Sequence, residues 1–184
     1  MRSEASSEGK IVGDTITTIF SRRSVREFTP DMVSDAAVTT ILECGRWAPS
    51  GLNNQPWKFV VIRNPETIGK LAECTRYTET VLGANVLIAV YLDTEVSYNR
   101  TKDIQAIGAA TQNMLLACED LGLGAVWLGE ILNRQDDVDS ILKAPGNVEL
   151  MAVIAVGRPA EGERASSRKD LGELVFREDF EGKW

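Results

Sequence analysis

The sequence predicts one domain of mixed α and β structure built on a single sheet. Helical and strand-like patterns interleave along the whole chain, as expected for helices packed on a sheet. Apolar runs of strand length recur at residues 58–62, 86–92, 124–128 and 148–156. The length, 184 residues with 43% hydrophobic content, suits one core of ordinary size.

Residues 1–13 are polar, carry Glu4 and Glu8, and read as a flexible leader rather than a signal peptide; residues 14–184 form the domain. Asp14 is placed as the N-cap of a first helix with Ile16, Ile19 and Phe20 along one side. A break at Thr29-Pro30 precedes a second helix over 34–46, whose buried stripe is Val38, Ile41, Leu42 and Gly45. Asn64-Pro65-Glu66 follows a strand at 57–63 and opens a short helix. Residues 77–85 fit neither period, and 86–92 is a buried strand. The longest helical pattern runs from Asp103 to about Leu121. It is apolar nearly all round and rich in small residues, which predicts a central buried helix ended by Gly122. A strand at 124–128, a surface helix at 134–142 ended by Pro145-Gly146, and a strand at 148–156 complete the core. A polar stretch then leads to a tail carrying Leu171, Leu174, Val175 and Phe176.

Composition removes several function classes. Twenty Lys and Arg against 27 Asp and Glu leave a net charge of −7, which argues against general nucleic-acid binding. No apolar run approaches the ~20 residues of a membrane helix. Cys44, Cys74 and Cys118 are odd in number and form no CxxC, so a disulfide framework or zinc site is not expected, and a reducing, cytoplasmic setting fits. The chain has no histidine, which excludes Ser–His and Cys–His catalysis and the HExxH metal motif. If the protein is an enzyme, a cofactor carries the chemistry.

Four clusters could form a site. Arg22, Arg23 and Arg26 surround Ser24 just past a helix end; such forks match phosphate oxygens, or they form a solvated patch paired with Glu27 and Asp31. Pro49, Ser50, Gly51, Asn53, Asn54 and Gln55 form a polar loop between helix and strand, closed by Trp57; it either displays amides to a flat ligand or is a turn anchored by the ring. Gly129 and Glu130 follow a strand, where a glycine admits close backbone approach or simply makes a turn. Arg168 and Lys169 form a second cationic pair, or a solubilising tail. Together they describe an anion site, an amide loop and a backbone turn without a protein nucleophile, as a phosphorylated heterocycle requires. GxGxxG and GxxxxGK[ST] patterns are absent. Arg63, Arg76 and Arg100 are further arginines available to a nucleotide phosphate, with no pattern that selects one.

Residues 22–28, RRSVREF, followed after a helix by 47–61, WAPSGLNNQPWKFVV, resemble the FMN-dependent nitroreductase family. Residues 108–124 look like its central helix, 153–158 like its last core strand, and 168–175 like its C-terminal signature. The resemblance implies an α+β, three-layer sandwich with a mainly antiparallel sheet flanked by helices. It also implies an intertwined homodimer with FMN at the subunit interface and a C-terminal tail reaching the partner. Arg22, Arg23, Ser24 and Arg26 would then lie near the phosphate, ribityl chain and pyrimidine, with Arg168 and Lys169 also toward the phosphate. Pro49, Ser50, Gly51 and Asn53 would reach the flavin from the other subunit, and the backbone of Gly129 and Glu130 would face flavin N5.

The implied activity is hydride transfer from NADH or NADPH through flavin N5 to a small-molecule acceptor such as a nitroaromatic or quinone, by ping-pong turnover. Another reaction on the same flavin, or a flavin-binding regulatory protein with little turnover, are the alternatives. Asp170 stands where the family often has Pro, and residues 77–85 and 93–103 leave little room for the helical excursion that covers the pocket in longer members.

Overall fold

A computed structural model describes residues 14–162 and 165–184. The expected leader, residues 1–13, lies outside the described residues. Five strands form one open sheet, and every pairing between them is antiparallel. These are β1 (Phe28–Thr29), β2 (Trp57–Ile62), β3 (Val86–Asp93), β4 (Gly124–Leu128) and β5 (Val148–Pro159). The long β5 has β3 on one edge; on the other it pairs β4 through residues 153–157 and β1 through Arg158 and Pro159. β2 closes the far side against β3.

All eight residues of β3 are buried, so both faces of the sheet are covered. Val86, Ile88, Val90 and Leu92 pack on one side with α2 (Asp35–Arg46) and α5 (Arg100–Asp120). Leu87, Ala89 and Tyr91 pack on the other with α3 (Pro65–Ala72), α4 (Thr78–Gly83) and α6 (Gln135–Leu142). Period-two alternation along the central strand thus generates the three-layer sandwich. Residues 77–85, which fit neither period, supply the short α4.

Local signals set the helix ends. Ser34 caps α2 by accepting the Ala37 N–H at 3.2 Å, and Asn64 caps α3 by accepting that of Thr67 at 3.0 Å. Asn99 caps α5 through the Lys102 N–H, so this helix starts three residues before the expected Asp103. α6 ends at Lys143, in the left-handed region at φ 54°, ahead of the expected Pro145-Gly146 stop. Gly45 of α2 meets α5 closely: a Cβ there would sit 2.8 Å from Met114 Cγ.

α1 (Asp14–Ser21) differs from expectation. Asp14 is already helical rather than a cap, and the helix buries no residue; Ile16 and Ile19 stay exposed, and Phe20 is 70% exposed. The apolar side is real, and no described residue of the chain covers it. Trp47, just past α2, is 76% exposed, and it lines a groove with α1 residues Thr15 and Thr18 and with Leu116 of α5.

Candidate active site

β4 fixes the arginine cluster. The Val25 N–H bonds the Ala125 carbonyl at 3.0 Å, and Ser24 forms a parallel bridge to Ala125. Val25 is buried against Gly124, where a Cβ would meet its Cγ1 at 2.6 Å. A glycine is therefore required for this segment to lie so close. With Val25 turned in, Ser24 and Arg26 stay exposed on either side of it, in strand alternation.

A cavity of about 270 Å³ results, lined by Arg22, Arg23, Ser24, Arg26, Ser166 and Arg168. The tail arginine therefore joins the three that precede it by some 140 positions. Arg23 donates to the carbonyls of Phe20, Ser21 and Arg22 at 2.6 to 3.0 Å and so closes the end of α1. Arg168 donates to Ser166 Oγ at 2.5 Å and to the Ser167 carbonyl at 2.7 Å. Arg22 and Arg26 make no hydrogen bond to a carboxylate among the described residues. Asp31 instead accepts the Thr29 hydroxyl at 2.8 Å. Lys169 is exposed and does not line the cavity.

The polar loop is braced elsewhere. Leu52, Asn53 and Gln55 all have positive φ, at 55°, 54° and 48°. Backbone strain of this kind persists only where surroundings over-determine it. Here Ser50 Oγ accepts the Gln55 N–H at 3.0 Å, and Asn54 Nδ2 donates to Asp103 Oδ1 at 2.8 Å and to the Val96 carbonyl at 3.2 Å. Asp103 is fully buried, and its Oδ2 accepts Ser97 Oγ at 2.7 Å and the N–H groups of Asn99 and Tyr98 at 3.1 and 3.2 Å. Burial pushes the carboxyl pKa up, but these donors outweigh it and hold the group below the usual range. Tyr98 packs on Gly51 so tightly that a Cβ there would overlap its hydroxyl. Pro49 and Asn53 remain exposed, with Ser50 and Gly51 half-buried.

The two clusters occupy opposite ends of α5. The loop is tied to its first turn, whereas Ser21, Arg23 and Val25 line a cavity with Glu119 and Gly122 at its last. A 21-residue helix is about 32 Å long. One chain therefore does not bring the loop and the arginines onto one small ligand.

Gly129 and Glu130 follow β4 directly, and Gly129 has open space where a side chain would stand. Trp127, 40% exposed on β4, approaches Gly108 of α5 between this turn and the arginines. The sequence reading missed it; a lone outward aromatic in an otherwise buried strand was the available signal. Of the other arginines, Arg63 pairs with Asp35 at 3.0 Å and Arg100 with Glu149, while the charge of Arg76 helps hold the Glu130 carboxyl below its usual range.

The donor set fits FMN: unpaired guanidiniums and hydroxyls suit a phosphate, and an open glycine turn suits a flat ring. Comparison with known proteins agrees. The sequence model of the Nitroreductase family matches residues 19–79 and 72–158. A Desulfovibrio desulfuricans protein described as a nitroreductase, crystallised in complex with FMN, superposes with a TM-score of 0.86 at 49% identity, covering 92% of this chain and 99% of that one. An Archaeoglobus fulgidus protein described as an NADH dehydrogenase/NAD(P)H nitroreductase is 33% identical over 152 residues, 80% of this chain and 87% of its own. The NADPH:FMN oxidoreductase of Vibrio harveyi, solved with NAD+, has a TM-score of 0.84 at 26% identity, covering 91% and 78% of the two chains.

Proposed function

The chain belongs to the nitroreductase family, and from that premise we propose that it passes reducing equivalents from NADH or NADPH through FMN to a small acceptor, such as a nitroaromatic or quinone, by ping-pong turnover. It is an FMN-dependent oxidoreductase by the same kinship. When bound, the flavin supplies the hydride chemistry. The protein binds, orients and electrostatically tunes it.

The observation that carries this reading is the arginine cavity. Arg22 and Arg26 hold no carboxylate, and Ser24, Ser166 and Arg168 complete a phosphate-sized donor set beside β4. From there the strand leads to the open Gly129–Glu130 turn, about 13 Å from Ala125 in extended geometry. Phosphate at one end and ring at the other fit that span. Pro49, Ser50, Gly51 and Asn53 would come from a second copy, because they stand at the far end of α5. A homodimer packed through the exposed face of α1, with Trp47 and Leu121, accounts for apolar surface that the described residues leave open. No helix among the described residues is long and apolar enough to cross a membrane.

The test is titration of apo-protein with FMN, followed by anaerobic addition of NADH or NADPH. Arg22→Ala is expected to weaken FMN binding by about 1.5–3 kcal/mol, one to two decades, because a charge-assisted phosphate contact is lost. Flavin bound by the parent should bleach with nicotinamide and recover on adding a quinone. A flavin indifferent to both nicotinamides would refute the reductase reading, and unchanged affinity in Arg22→Ala would refute the phosphate assignment.

A further inference from the structure

Residues 94–99 link β3 to α5 and lie against the polar loop. They carry an aromatic side chain without an assigned role, Tyr98, which is 42% exposed yet held from several directions. Its backbone N–H donates to the buried Asp103 carboxylate at 3.2 Å, beside the Ser97 hydroxyl and the Asn99 N–H. Its hydroxyl occupies the place that a Cβ on Gly51 would take, and its Cζ lies 2.6 Å from that point. Lys102 Nζ stands over one face of the ring, 5.4 Å from its centre. The same carboxylate accepts Asn54 Nδ2, which also donates to the Val96 carbonyl. One buried acid therefore fixes the polar loop and Tyr98 as a single unit. Leu52 and Val96, on the same unit, are exposed as well.

A tyrosine on a surface loop ordinarily keeps its rotamer freedom, and a ring that is already fixed loses less entropy when a ligand packs on it. Here a glycine at the hydroxyl end and an ammonium on one face fix the ring while part of it stays open. Gly51 is among the residues proposed above to reach the flavin of a second copy, so a side chain seated on Gly51 stands beside that same ring. We propose that Tyr98 lines the acceptor site at the second copy's flavin and sets a preference for flat aromatic acceptors, such as naphthoquinones, over acceptors that cannot stack. The proposal rests on the flavin reading above and on its placement of the polar loop. The ring carries the preference, through stacked or edge-to-face contact with a flat acceptor. The hydroxyl seats that ring on Gly51.

The experiment takes the FMN-loaded protein with saturating NADH or NADPH and measures kcat/KM for menadione and for ferricyanide, an acceptor with no ring to stack. In the ping-pong turnover proposed above, kcat/KM for an acceptor reports that acceptor's half-reaction alone. The readout is the menadione-to-ferricyanide ratio, with the FMN Kd of apo-protein measured alongside. Tyr98→Ala should lower the ratio about tenfold, the loss of one aromatic pair and its contact area. Tyr98→Leu, which keeps apolar bulk without a π face, should lower it about fivefold. Tyr98→Phe keeps the ring and should restore most of the parent ratio. A ratio within about twofold of the parent in both Tyr98→Ala and Tyr98→Leu overturns the proposal. So does an equal slowing with both acceptors accompanied by weaker FMN binding, which is what a loosened loop alone would produce. A Tyr98→Phe ratio as low as that of Tyr98→Ala overturns the assignment of the preference to the ring. A parent protein that takes up no FMN, or that reduces neither acceptor, overturns this proposal and the reductase reading together; a parent that binds FMN and reduces both, with variants that keep its ratio, overturns this proposal alone.

Discussion

Asp103→Asn should loosen the polar loop while leaving the helix that carries it. The Asp103 carboxylate is fully buried and has no cation partner among the described residues; four donors satisfy it, three of them on Oδ2. In the variant, the best amide orientation leaves its carbonyl facing Ser97, Tyr98 and Asn99, and its NH2 facing Asn54. Asn54 Oδ1 is buried without a partner, so rotation of that amide recovers one bond at the expense of the one to Val96. What is lost is charge assistance on three bonds, roughly 1 kcal/mol each. Relief of the buried charge returns part of it. The net cost is about 2–3 kcal/mol, or a Tm lower by about 5–10 °C for a chain of this size. Melting at matched protein and FMN concentrations measures it. The sign with pH follows from the depressed pKa: the charged form stabilises above the unfolded value near 3.9, and that stabilisation is lost as pH falls through the lower folded value. The gap between parent and variant should therefore close in strong acid. FMN affinity should also fall, since the loop proposed to reach the flavin of a second copy is no longer held. A Tm within 1 °C of the parent, with unchanged FMN affinity, would refute the role of Asp103 as the brace.

Gly124→Ala forces Val25 to move, because the new methyl lies 2.6 Å from its Cγ1; about 1–3 kcal/mol of stability and part of the FMN affinity should go, as chemical denaturation and titration would show. Gly69→Ala, where a methyl meets nothing within 4 Å in the middle of α3, should instead stabilise by about 0.5–1 kcal/mol in the same denaturation assay. Phe20→Asp should shift the species seen by sedimentation from dimer to monomer and release FMN, since it charges the exposed side of α1 without disturbing the core of one chain. Burial pushes the Cys118 thiol up to about 12, so it should resist alkylation at pH 8 until the protein is denatured.

Much of this arrangement was legible because it is written in local periods and local chemistry. The apolar run from Val86 was found because burial on both sides removes polar residues from its positions, and the helix around Ala110 because small and apolar residues fill its buried face. The α2 and α3 starts were found because a capping side chain lies three residues from the N–H that it accepts. The start of α5 was missed because Asp103, the obvious acidic residue, is engaged from within the first turn and leaves the cap to Asn99. The exposure of Ile16, Ile19 and Phe20 was equally invisible, because a helical apolar stripe reads the same whether its own chain or a second copy covers it.

The unread part of the site has a common physical character. Asn54 meets Asp103 across 49 residues, and Thr75 meets Glu130 across 55. Such bonds impose no spacing rule, so in the sequence each partner looks like an ordinary surface polar residue. Both bonds connect a loop to an element at the rigid core: α5 in one case, the end of β4 in the other. The motifs thus point to the groups proposed to meet the flavin, whereas the carboxylates that brace their surroundings become visible only when the chain is folded. Asp103 and Glu130 accept bonds from both side chains and backbone N–H groups, so substitution at either should disturb geometry as well as charge. At Asp103 the loss should appear in stability, because it is wholly inside the fold.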